Sequence, residues 1–128
     1  MKIVSIIARI LLGLMFTVFG LNGFFHFMPM PPMSGLPLQY FTVLVQSHMV
    51  VAIFAVQLIG GLLLLAGLFV PLALTILGAM IANILLYHIY IEPAGIGMAL
   101  FTFLLWLISF WGVRSHFMGL FTMRAIQE

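Results

Sequence analysis

The chain has 128 residues, 66% of them apolar and 5% charged, and its mean hydropathy of +1.37 lies far outside the range of water-soluble folds. Its formal charge of +2 comes from Lys2, Arg9, Arg114 and Arg124 against Glu92 and Glu128, with no contiguous basic tract to follow a phosphate backbone, which argues against nucleic acid as a partner. Cysteine is absent, so a disulfide framework, an iron–sulfur cluster, thiol-linked haem and a dithiol relay are excluded too.

A bilayer core needs about 20 apolar residues per helix. The chain therefore predicts an all-α membrane protein, a single domain over 1–128 built as a four-transmembrane-helix antiparallel bundle with the lipid bilayer as its surroundings. The first span is expected over 3–28. Its apolar run is too long for a secretion signal and no small-x-small cleavage site follows, so it should be retained. Pro29, Pro31 and Pro32 end it, because proline lacks the amide donor and clashes with the preceding turn.

The second span, 45–69, begins between Tyr40 and His48; Gly67 and Pro71 then predict a tight turn into a third span, 72–91. The fourth, 93–113, opens at Glu92-Pro93, where proline suits the first helical position and a carboxylate suits the positive helix end. Residues 114–128 form a tail with Phe117, Leu120 and Phe121 on one helical face between Arg114 and Arg124, either an interfacial amphipathic segment or a frayed end. Four spans put both termini on one side together with all four Lys and Arg residues, so the positive-inside rule predicts cytoplasmic termini in the cell membrane. Gly13, Gly20 and Gly23, Gly60 and Gly61, and Gly78 with Ala82 are the small residues expected where helices approach closely.

Polar side chains are costly in hydrocarbon, so their depth and face are informative. Asn22 and His26 share a face of span 1, Asn83 and Tyr87 share one of span 3, and His88 and Glu92 form another pair at the same spacing. His48 stands at the outer entrance of span 2 and Gln57 near the midplane, level with Asn83. All eight fall in the outer half, which predicts a polar ligand-binding pocket there, with Met28, Met30, Met33 and the proline loop over its mouth. The plainer alternative is that they only hydrogen-bond helices together, at about 0.6 kcal/mol each.

Three ligands suit such a pocket. A quinone, or a similar lipid-soluble molecule, needs an apolar slot and a few donors, which His26, His88, Asn22, Asn83 or Tyr87 can supply, with Glu92 orienting His88. A b-type haem needs two axial histidines from different helices, a requirement His26 and His88 meet in sequence. Copper(I) favours thioether and imidazole, as in His26, Met28 and Met30. The stiff, proline-rich loop suits a cover better than a cage.

The stretches ARILLGLMFTVFGLNGFFHF, PMPPMSG, VQLIGGLLLLAGLFVPLAL and NILLYHIYIEPAG, in this order, resemble the DoxX family of small four-helix membrane proteins over about residues 5–100. The resemblance implies a bundle in the cytoplasmic membrane associated with membrane oxidoreductase complexes, and other redox subunits or further copies of the chain as partners. An accessory subunit of a quinone-linked oxidoreductase is then expected rather than a stand-alone enzyme; a non-catalytic scaffold or chaperone-like subunit is the alternative. Many relatives carry glutamate before the Gly-Gly run where this chain has Gln57, which can donate and accept hydrogen bonds but carries no proton at ordinary pH.

Overall fold

A computed structural model describes residues 1–128. Helix α1 (Lys2–Phe25) ends three residues before the expected Met28. His26 takes a left-handed conformation, φ 52°, its amide bonds the carbonyl of Asn22 at 2.8 Å, and the Asn22 side-chain oxygen accepts the amide of Met28, also at 2.8 Å. The exposed carbonyl end of the helix is thus closed locally before the prolines begin.

The expected second span is two helices. Gly35, at φ 66°, opens α2 (Leu36–Gln46), whose first turn holds Pro37; the chain then turns at Ser47 and at His48, φ 64°, before α3 (Met49–Ala66). The membrane helix therefore starts at Met49, not at residue 45. Gly67 ends α3 at φ 71°, with the amide of Leu68 on the carbonyl of Leu63 at 3.0 Å and that of Gly67 on Leu64 at 3.3 Å, a Schellman closure that needs glycine's left-handed freedom. Helix α4 (Val70–Tyr90) follows at once, with Pro71 in its first turn. A 3₁₀ turn over Pro93–Gly95 leads into α5 (Ile96–Gly112), and a second 3₁₀ segment covers Arg114–Phe121. In that tail Phe117 alone is buried, its ring 4.7 Å from that of Phe110, while Leu120 and Phe121 are exposed.

Four segments, Lys2–Phe25, Met49–Ala66, Val70–Tyr90 and Pro93–Gly112, are long and apolar enough to cross a membrane, and most large apolar side chains face outward. Such a surface is stable only in lipid, and the chain is a multi-pass α-helical membrane protein. Each span packs on the next, α1 on α3, α3 on α4 and α4 on α5, and α5 closes the ring against α1.

The α1–α3 seam is made by missing side chains. A β-carbon on Gly61 would stand 2.6 Å from the amide nitrogen of Thr17, and one on Gly20 would stand 2.8 Å from that of Leu58. Backbone therefore meets backbone, the means by which membrane helices gain dispersion contact without a hydrophobic drive. Leu12, Leu64, Leu74 and Leu77, all fully buried, fill the half of the bundle nearer the termini, and the Trp106 indole N–H donates to the Leu74 carbonyl at 2.8 Å, tying α5 to α4.

Candidate functional site

The opposite half of the bundle is hollow. A cavity of about 410 Å³ is walled by α1, α3, α4 and α5 and roofed by α2 and the methionine–proline loop. Of its 23 lining residues 17 are hydrophobic, the proportion expected of a site for a largely apolar molecule with a few polar anchors.

Five of the eight polar residues singled out in the sequence line it: Gln57, Asn83, Tyr87, His88 and Glu92. Asn22, His26 and His48 do not. Asn22 spends its side-chain oxygen on the Met28 amide, and His26 and His48 are exposed residues at helix ends in left-handed conformations. Helical spacing put Asn22 and His26 on one face, but α1 stops at Phe25, so His26 leaves that face. The loop supplies Met30, Pro31 and Met33 to the roof, whereas Met28 stays outside it.

His26 lies outside the cavity that His88 lines, so the pair does not share a chamber for bis-imidazole ligation of haem. Of the copper set His26, Met28 and Met30, only Met30 lines the cavity.

Glu92 holds His88 by an unexpected atom. Its main-chain carbonyl, not its carboxylate, meets His88 Nδ1 at 2.9 Å. A carbonyl only accepts, so Nδ1 carries the hydrogen of this bond, and Nε2 has no protein partner. The imidazole rests on the α-carbon of Gly95, where a β-carbon would lie 2.7 Å from Nδ1. The Glu92 carboxylate instead accepts the Tyr87 hydroxyl at 2.9 Å.

Helix α2 brings residues that the sequence reading did not select. Tyr40 and Phe41 set their rings 5.0 and 6.0 Å from that of Tyr87, which in turn lies 5.0 Å from the His88 ring, so one aromatic cluster links roof and wall. Leu36, Tyr40 and Leu44 recur at four-residue spacing, with Gly35 before them and Pro37 in the first turn, a helix signal that stands only three polar residues, Gln46 to His48, from the apolar run of α3. Thr102 of α5 also reaches the cavity, but its hydroxyl donates to the Met98 carbonyl at 2.9 Å.

Gln57 is 8% exposed and lines this apolar chamber, and no group of the protein hydrogen-bonds its side-chain amide. Asn83 also lines the chamber with an amide that no protein group bonds, but the residue is exposed. Both amides are therefore open to a polar group placed in the cavity.

Fold and cavity together define a class: a four-span α-helical membrane protein with an internal chamber at the end of the bundle opposite its termini. No family model, curated protein or solved structure matches the chain.

Proposed function

We propose that the protein binds a quinone, or a comparable lipid-soluble molecule with a polar head, in this chamber, and serves a membrane redox complex as a DoxX-like subunit. The observation that carries the reading is Gln57: a polar residue only 8% exposed, lining a mainly apolar cavity of about 410 Å³, whose amide no protein group bonds. Quinone carbonyls accept hydrogen bonds, which the Gln57 and Asn83 amides can donate, while the aromatic and methionine walls take the ring and the start of its tail. By the positive-inside rule the end with Lys2, Arg9, Arg114 and Arg124 faces the cytoplasm, so the chamber opens toward the outer leaflet of the cytoplasmic membrane.

The test is one preparation in mild detergent. Organic extraction and mass spectrometry should recover quinone, and added quinone should raise the melting temperature by mass action. Replacing Ala99, a buried small residue of the wall, with phenylalanine should abolish both effects while the helix content is kept. Recovery of no quinone together with an unchanged melting temperature refutes the proposal and leaves the scaffold role.

A further inference from the structure

A second cavity, of about 590 Å³, lies at the other end of the bundle, between the start of α1 and the end of α5. Lys2, Arg114 and Ser5 contribute its polar lining and Leu107 and Trp111 its apolar side, and no carboxylate lines it. The two cations are uncompensated locally, because the only acidic side chains are Glu92, which lines the chamber at the far end, and Glu128 in the exposed tail. Arg114 is held in place: one guanidinium nitrogen donates to the Trp111 carbonyl at 2.7 Å, and the group sits 4.2 Å above the indole ring. Its other N–H groups remain free to donate. Gly112 lies directly against Ser5, so the two helices touch and form the floor of the cavity.

We propose that this cavity binds the phosphate headgroup of an anionic phospholipid, with Arg114 and Lys2 on the phosphate oxygens and an acyl chain descending along Leu107. Three features favour a lipid over a free anion. The cations are on the rim of an apolar span; Trp111, half exposed, is the amphipathic type that settles at headgroup level; and the exposed flank of Leu107 continues the wall into the lipid-facing surface. The cavity is remote from the ligand chamber, so the two sites stand or fall separately.

The probe is phosphatidylglycerol, set against phosphatidylcholine, with the full chain in detergent micelles examined by native mass spectrometry. The wild-type chain should retain one phosphatidylglycerol in preference to phosphatidylcholine. Two basic residues near a membrane surface together contribute about 30-fold in affinity, so the double variant Lys2→Gln, Arg114→Gln should lose that much. Arg124→Gln removes a charge from the same side but outside the cavity, and should change nothing. Equal retention of the two lipids by the wild type overturns the proposal, as does an equal loss in Arg124→Gln. Displacement of phosphatidylglycerol by excess inorganic phosphate also overturns it, since the site would then belong to a free anion.

Discussion

Adding one methyl group at Gly95 should dislodge His88. A β-carbon there would lie 2.7 Å from Nδ1 and closer still to Cε1, inside van der Waals contact, so the ring must leave its seat. With it goes the 2.9 Å hydrogen bond to the Glu92 carbonyl, a net loss of about 0.5–1.5 kcal/mol. The backbone adds no strain, because φ at Gly95 is −92° and alanine adopts it freely. Gly95→Ala should therefore lower stability by about 1 kcal/mol, roughly fivefold in the unfolding equilibrium. Gly97→Ala is the matched control: nothing lies within 4 Å of its β-carbon, and alanine in a helix is worth roughly 0.5–1 kcal/mol over glycine. Reversible unfolding in mixed micelles, followed by circular dichroism, should place the two variants on opposite sides of the wild type. Nitrogen-15 spectra of the imidazoles should show the Nδ1–H form of His88 in the wild type and in Gly97→Ala only. If the two alanine variants are equally stable and share one imidazole spectrum, the anchoring of His88 described above is wrong.

Gly61→Leu should abolish folding of the bundle, because the new side chain meets the backbone of Thr17 and Gly13, which cannot rotate aside; Ile59→Ala, at a lipid-facing position, should leave thermal unfolding nearly unchanged. Trp106→Phe should cost about 1 kcal/mol through the lost bond to the Leu74 carbonyl, read from the same unfolding curves, while quinone retention in the distant chamber stays at the wild-type level.

The spans were legible because hydropathy and glycine or proline punctuation report directly on backbone physics in lipid: Gly67 and Pro71 mark the tight turn between α3 and α4, although α3 ends at Ala66 rather than 69 and α4 begins at Val70 rather than 72. The concentration of polar side chains toward one end was legible too, since depth follows from residue number along a helix. Side-chain direction past a helix end was not. His26 kept its place in a four-residue pattern on paper, yet one left-handed residue turned it out of the chamber. Asn22 was read as a ligand contact, and its bond to an amide six residues ahead depends on that same turn. Helix α2 escaped because only Gln46, Ser47 and His48 part its apolar residues from those of α3, and the bend there carries no proline or glycine to announce it. The exchange of roles at Glu92, carbonyl to histidine and carboxylate to tyrosine, depends on the 3₁₀ turn at Pro93–Gly95, which no periodicity encodes.

The chamber draws walls from every span, and α5 brings Met98, Ala99 and Thr102 to it last in order of synthesis. During translation the first three spans can pair as neighbours while the hollow between them still lies open to lipid acyl chains. Docking of α5 then encloses whatever lies inside. A guest that bound the finished chamber and not the three-span intermediate would add to the stability of the completed bundle alone.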